Sequence, residues 1–525
     1  MSSHGLLAGH PPPNRDILQR WLESEGVYVA PGLEVCEMED GEGWRVIARR
    51  ALGTDEIICR IPKTALLSAR TSSLPPSLLP FTRPTTSHTI FHLALALLHE
   101  LRLGSASRWY GYLQSLPRRT VMLPLFWGVA ELGGEDGKEA RRWLVGTEAE
   151  RDLARKDKEG LALSDLAQFY NAVAPHLPPT QGHPEPSPLS AFLHAFSLIM
   201  TRAFLIDLYH TVALVPFADL LNHSSEPHTS LASDDFVCHI CGSLRRCTHD
   251  ILDTEGGVMR LAHLPDSEVA RLGSEADTVD MRADRPVEAE EEVFNSYGTI
   301  GDARLLVEWG FVAEDFAGEG LTWNPEDLGV DGKVGELWVE ILNRGKYLAA
   351  MLPIAQDDAA GHVENGVEEE QEDEDRLVGP PSGGRPGLLN LSQAGQISIN
   401  LWAIALLAGM GGTCAETSPE NIETSIIDSV REVNDRSAAL PQEDDDSGEA
   451  TFRRSPIIPI SLQTTRIIRN LLQTRLEGMH SAQLAVDTLL DMRDRMAITL
   501  SVNERSLLQS TLGKWDDLLS ELGPP

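Results

Sequence analysis

Apolar and polar positions change their period several times along the chain. Ile17, Leu18, Trp21 and Leu22 recur at helical spacing after Asp16, and Gly26 is a stop signal, so a short amphipathic helix is predicted there. LEVCEM, WRVIA and EIICRIP follow, separated by Gly and Asp turn signals that include Asp40-Gly41-Glu42-Gly43; short antiparallel strands are the simplest reading. From about Thr89 to Arg142 the period becomes 3.6, as in FHLALALLHELRLG, where Leu93, Leu95, Leu97, Leu98 and Leu101 precede a stop at Gly104. A further helix is predicted from about Leu163 to Val173. The Pro-rich HLPPTQGHPEPSPLS comes next, and SAFLHAFSLIMTRAFLIDLY resumes the helix with Ser190 as cap. ALVPFADLLNH reads as a strand that breaks at Pro216. Beyond Phe311 the pattern turns to long helical segments, ISINLWAIALLAGM and the stretch from Leu462 to Leu508. Two acidic inserts interrupt them, one running from Asp357 to Asp375 and the other QEDDDSGEA near Gln442. Their poverty in apolar residues predicts disorder.

Length and charge narrow the function. At 525 residues the chain is expected to form roughly three structural units. Asp and Glu outnumber Lys and Arg by 79 to 44, a formal charge of -35, and a field of that sign repels phosphate backbones and anionic lipid. Direct nucleic-acid binding is therefore not expected, whereas a basic protein would be attracted. The same charge also serves simple solubility. No apolar run reaches the ~20 residues that span a bilayer, and MSSHGLLAGHPPPNRD lacks the features of a secretory signal, so no membrane role and a nuclear or cytoplasmic location are expected.

Six cysteines in so long a chain do not make a disulfide scaffold. Cys238, Cys241 and Cys247, with His249, form a Cys-x2-Cys-x5-Cys-x-His cluster that reads either as one structural zinc site or as a reduced thiol-rich loop. P-loop, HExxH, GxSxG and Rossmann GxGxxG motifs are absent in context. Several short pieces remain: Gly41-Glu42-Gly43-Trp44, Thr201-Arg202-Ala203-Phe204, Phe217-Ala218-Asp219-Leu220-Leu221-Asn222-His223, Glu292-Val293-Phe294-Asn295-Ser296-Tyr297-Gly298 and Trp309-Gly310-Phe311. On chemistry alone, Arg202 in its apolar helix reads first as a buried arginine paired with Asp207 or Asp219.

In this order the pieces resemble the SET-domain protein methyltransferases, in the class of the Rubisco large-subunit methyltransferase. The match runs from about Trp21 to Val312 and continues weakly in DMRDRMAITLSVNERSLL. EVFNSYG and the spacing from Tyr297 to Trp309 are most similar to the subgroup of human SET-domain protein six and the fungal ribosomal-protein lysine methyltransferases. The resemblance implies an α+β chain. A SET β-fold would occupy 20–75 and 206–315, with a helical insertion over 76–205 and a Cys-rich loop over 226–255. An all-helical substrate-binding domain would follow over 325–525, with disordered inserts near 357–387 and 441–450.

It further implies transfer of methyl groups from S-adenosylmethionine to a lysine, first on a ribosomal protein and alternatively on a histone, a transcription factor or another protein. A catalytically inert interaction protein is the reading of a different class. Tyr297 would be catalytic. Glu42, Gly43, Trp44, Thr201, Arg202, Phe204, Asn222, His223, Tyr297, Trp309 and Phe311 would hold the cofactor, and Arg202, Ile206 and Asp219 would lie by the substrate. Two positions depart from the family pattern: Arg45 stands where a second glycine is common, and Trp309 replaces a more usual tyrosine. The sequence leaves the oligomeric state open.

Overall fold

The structure, a computed structural model, describes residues 15–38, 43–79, 86–129, 137–180, 185, 187–233, 237–251, 260–261, 264–274, 276–298, 300–313, 320–330, 332–344, 376–380, 387–410, 417–438, 458–481 and 491–522. It divides into two compact units. The first comprises the residues up to Lys138, Asp152–Gly298 and Leu305–Phe311; the second comprises Glu139–Arg151, Thr299–Arg304 and the chain from Val312 onward.

Among its described residues the first unit holds three small sheets. Tyr28–Val29, Ile57–Pro62, Thr278–Ala283 and Thr229–Ser233 form an antiparallel sheet of four strands in that spatial order. Glu291–Glu292, Trp44–Ala48 and Leu33–Glu37 form the second, with Leu33 opposite Ala48 and Glu37 opposite Trp44. Leu67–Ser68, Val212–Leu214 and Ala203–Leu205 form the third, whose short strands bring residues of the mid-chain beside one another. The helices Thr86–Leu103 and Leu189–Arg202 pack together over this core. Leu93 to Leu98 of the first are all fully buried, the mark of a helix apolar on every face. The amphipathic helix Arg15–Ser24 lies against Tyr110–Leu113, and it approaches so closely at Gly111 that a Cβ there would fall 2.2 Å from Trp21 Cβ.

Two local expectations change. The stretch from Thr89 to Arg142 is not continuously helical. The helix ends at Leu103, Gly104 takes φ 54°, and among the described residues only the short helices Tyr110–Leu113 and Gly137–Trp143 and 3₁₀ turns follow. Pro117 and Pro124 cannot sit inside a helix. Ser190 is not the cap of its helix: Leu189 already lies in the first turn, so extended Pro188 takes the cap position, as its fixed φ allows.

The second unit is mainly helical, with Gly332–Arg344, Ile399–Met410, Pro419–Ala438, Ile458–Gly478 and Met492–Leu522. Ile399 to Leu407 is buried throughout, and Trp402 stacks on Trp515 with ring centroids 6.1 Å apart. The unit also carries a sheet that the sequence pattern did not reveal: Leu321–Thr322, Asn390–Leu391, Ile397–Ser398 and Val378–Gly379, in that order. Two-residue strands are too short for a period of two to register. Val378–Gly379 falls inside the segment 357–387 expected to be disordered; 357–375 and the second acidic insert at 441–450 lie outside the described residues. Among the described residues no helix is long and apolar enough to cross a membrane.

Candidate active site

The helix Leu189–Arg202 runs directly into the strand Ala203–Leu205, so Thr201, Arg202 and Phe204 emerge where helix becomes strand. Thr201 Oγ1 donates back to Ser197 O at 2.9 Å, which uses its hydroxyl within the helix. Arg202 Nη1 donates to Asp219 O at 2.8 Å and lies 3.9 Å from Asp219 Oδ2. Asp219 stands in a single 3₁₀ turn, Ala218–Leu220, entered through Phe217 at φ 77°. That left-handed backbone is costly for an aromatic residue and persists because Phe217 is itself locked in the core. Asp219 Oδ2 accepts a 2.7 Å bond from the Tyr112 hydroxyl. Burial pushes its carboxyl up to about 6, against the opposing pull of Arg202 and Tyr112. Among the described residues, Asp219 Oδ1 and Arg202 Nε are buried and have no hydrogen-bond partner.

Tyr297 reaches the same place from a distant part of the chain. Asn295 N donates to Asn222 O at 2.8 Å and Ser224 N to Asn295 O at 3.2 Å, which sets the segments around 223 and 296 side by side. Tyr297 N donates to His223 Nδ1 at 3.2 Å. His223 therefore presents a lone pair at Nδ1, in keeping with burial, which holds its imidazole below the ordinary range. The Tyr297 ring stacks on His223 at 5.0 Å and on Trp309 at 5.3 Å, and meets Phe311 edge-on at 6.5 Å. Among the described residues its hydroxyl makes only a long bond, donated to Leu221 O at 3.5 Å. Burial raises the phenol's pKa, so it stays protonated through the physiological range.

One cavity gathers Thr201, Arg202, Phe204, Asp219, Tyr297 and Trp309, together with Ala203, Leu205, Leu221 and Ser296. Asn222 and His223 stand behind this wall. Asn222 Nδ2 donates to Trp44 O at 3.3 Å and to Glu292 Oε1 at 2.8 Å, and so ties the start of the strand Trp44–Ala48 to the strand Glu291–Glu292, which precedes Tyr297. Phe311 supports Tyr297 without lining the cavity. Ile206, expected beside the substrate, is instead 2% exposed in the core and does not line it. At the end of a strand that alternates sides, its side chain turns inward while exposed Leu205 lines the cavity. Glu42 lies outside the described residues. Cys238, Cys241, Cys247 and His249 form a second cluster. Tyr112 was not foreseen, because nothing in its local helical pattern shows that a residue 107 positions away needs its hydroxyl.

No protein-family model matches the chain. Among curated proteins it is similar to ribosomal lysine N-methyltransferase 3 of Saccharomyces cerevisiae, 24% identical over 338 residues, which is 53% of this chain and 59% of that one. It is also similar to N-lysine methyltransferase SETD6 of Mus musculus, 24% identical over 305 residues, 56% of this chain and 53% of the relative. The chain thus spans little more than half the length of these relatives. The fold matches the SET domain of LSMT bound to MeLysine and AdoHcy with a TM-score of 0.57, 16% identity and coverage of 97% of this chain and 92% of that one. In sequence and in fold, the chain resembles the SET-domain protein-lysine N-methyltransferases of the Rubisco large-subunit methyltransferase-like class.

Proposed function

We propose that this protein is a protein-lysine N-methyltransferase and that the cavity at Tyr297 takes S-adenosylmethionine and the substrate lysine. One observation carries the reading: a protonated tyrosine hydroxyl with a weak internal bond faces the same aromatic-walled cavity as Arg202 and Asp219, each with a buried, unpartnered polar atom among the described residues. Such atoms cost free energy unless a ligand meets them, so the residues fit a polar, charged cofactor. Bound there, S-adenosylmethionine would supply a methyl group on an electrophilic sulfonium.

The chain's own task is then positioning and desolvation. A lysine of ordinary pKa about 10.4 must shed its proton to become a nucleophile, and walls such as Phe204, Leu205 and Trp309 favour the neutral amine by excluding water. Tyr297 is assigned the orienting hydrogen bond at the reacting centre. Arg202 and Asp219 are assigned to polar groups of the cofactor and substrate, and Asn222 and His223 to holding the segment that carries Tyr297 and the start of the strand Trp44–Ala48. The second unit is assigned a part in choosing the substrate.

A basic ribosomal protein is the proposed substrate class, supported by the charge of -35 and by the yeast relative's name. The SETD6 relatives keep a non-ribosomal protein as the alternative. Nucleus and cytoplasm are the proposed locations. The test is incubation of the purified protein with radiolabelled S-adenosylmethionine and an extract of cells lacking it. One dominant basic labelled protein, with the label on lysine, is expected. Absence of both cofactor binding by calorimetry and any label transfer would overturn the proposal in favour of an inert interaction protein.

A further inference from the structure

The insertion that follows Asn222-His223 contains a convergence that methyl transfer does not use. Cys238, Cys241, Cys247 and His249 each offer one ligand atom, and all four atoms lie within 4.8 Å of one another. His249 Nδ1 is 3.7 Å from Cys238 Sγ and 3.7 Å from Cys247 Sγ. A tetrahedral zinc with Zn–S about 2.3 Å and Zn–N about 2.0 Å places its ligand atoms roughly 3.5–3.8 Å apart. The two His249–cysteine edges fall in that range, and the remaining edges are no longer than 4.8 Å.

The backbone holds the ligands in place. Gly242 N donates to Cys238 O at 2.7 Å and Cys238 N to Ser243 O at 2.9 Å, which closes a tight turn around the Cys-x2-Cys pair. Gly242 adopts φ 72°, which favours glycine, and a Cβ there would lie 2.7 Å from the Tyr209 ring. Cys247 N donates to Asp250 Oδ2 at 2.7 Å, and Asp250 is fixed in turn by Arg260 at 3.0 Å. His249 rides on the 3₁₀ turn Thr248–Ile251 between them. The local apolar core is small: Val237, Leu244, Leu261 and Leu272, flanked by Tyr209, Leu264 and Val269.

We infer that Cys238, Cys241, Cys247 and His249 bind one structural zinc ion. Four protein ligands close the coordination sphere, so the site holds structure and presents no open position for chemistry. Three thiolates with one imidazole favour zinc over hard cations. The metal also braces the cavity wall, since the turn it closes packs through Gly242 onto Tyr209. Tyr209 lies in the connection between Ala203–Leu205, which lines the cavity, and its partner strand Val212–Leu214. This assignment stands independently of the reaction proposed for the cavity.

The test is metal analysis of the untagged full chain, purified without chelator and desalted. About one equivalent of zinc is expected. Cobalt exchange should give the intense visible bands of a tetrahedral, thiolate-rich site. Cys241→Ser should drop bound metal below about one fifth of wild type, while Cys36→Ser, outside the cluster, should retain it. If Cys241→Ser fails to fold, stoichiometry and the cobalt spectrum of the wild-type chain decide alone. Less than about a tenth of an equivalent after incubation with zinc, with Cys238, Cys241 and Cys247 reacting as fast as in the unfolded chain, would overturn the site. Chelation that strips zinc should raise amide hydrogen exchange across 203–214; unchanged exchange there would overturn the bracing role.

Discussion

Asp207 and Asp219 lie close in sequence, both with fully buried side chains, yet the protein treats them in opposite ways. Asp207 is satisfied from every side. Lys63 Nζ lies at 2.8 Å, His210 Nδ1 at 3.0 Å, and the backbone N–H groups of Tyr209 and His210 donate at 2.9 and 2.7 Å. Burial alone would raise its pKa, but the bonds from His210 and Lys63 outweigh that and hold it below the usual carboxylate range. Among the described residues the Asp219 carboxylate receives one side-chain hydrogen bond, from Tyr112, and lies 3.9 Å from the Arg202 guanidinium, and burial raises its pKa to about 6. Loss of solvent exposure alone therefore does not separate these two carboxylates; Asp219 is the more strongly desolvated and has the less complete set of partners among the described residues. Asp207 lies in a closed network, and Asp219 lines the cavity with an oxygen to spare.

The largest expected effect tests the closed network. Asp207→Asn leaves Lys63, 3% exposed, without its nearer carboxylate, and should cost about 3–5 kcal/mol of stability, read as a lower urea midpoint with unchanged slope. A loss under about 1 kcal/mol would show that Lys63 is held well enough by Asp277, 3.0 Å away, and would erase the contrast.

The two aspartates should also respond oppositely to pH. Asp207, with its folded pKa depressed, contributes stability that is present above the unfolded value near pH 4 and is lost as pH falls below it. Asp219, raised to about 6, contributes stability that is present below about pH 4 and is lost as pH climbs through 6. The span between the two values corresponds to at most about 3 kcal/mol. Asp219→Asn should remove this decline, so the stability difference between variant and wild type should shift in the variant's favour between pH 4 and 6.5. Urea melts at those two pH values decide it, and a difference independent of pH would mean that Asp219 is already ionised throughout.

Tyr297→Phe separates function from stability at the same cavity. The lost hydroxyl should slow methyl transfer about a hundredfold, equivalent to about 2.7 kcal/mol, and leave the unfolding midpoint unchanged because its bond to Leu221 O is long. Single-turnover rates with labelled cofactor measure it, and a wild-type rate would remove Tyr297 from the reacting centre.

The smallest effect sharpens the contrast further. Tyr112→Phe deletes the side-chain hydrogen bond to Asp219 and should cost about 1 kcal/mol. Because that bond favours the charged carboxylate, its loss should move the pH window of Asp219 upward. A window that stays in place would show that burial and Arg202 set the carboxyl's titration without Tyr112.

Legibility in the sequence followed the range of the forces involved. The helices Arg15–Ser24 and Leu163–Val173 match their sequence reading because amphipathic spacing and local stop signals are properties of neighbouring residues. The strands Leu33–Glu37, Trp44–Ala48 and Ile57–Pro62 were visible as apolar runs between turn residues. The stop at Gly104 was legible as well, but the loss of regular helix between it and Arg142 was masked by continuing leucine content, and the two-residue strands of the second unit carry too little pattern to see. Within the site, Tyr297 and Arg202 stood out through the resemblance, whereas the burial of Ile206 and the bond from Tyr112 did not.

From residue order alone came the run of elements, the acidic balance, the short pieces shared with SET-domain methyltransferases and the gathering of Cys238, Cys241, Cys247 and His249 within a dozen positions. Tertiary structure alone decided that Asp207 is closed off and Asp219 left open, that Asn222 bonds the start of the strand Trp44–Ala48, and that Tyr297 stacks on His223 and Trp309. The physical reason is distance along the chain. Periodicity, caps and ligand spacing act over a few residues, while the partner that completes or withholds a buried hydrogen bond arrives from any part of the fold, and its geometry exists only once the core has closed.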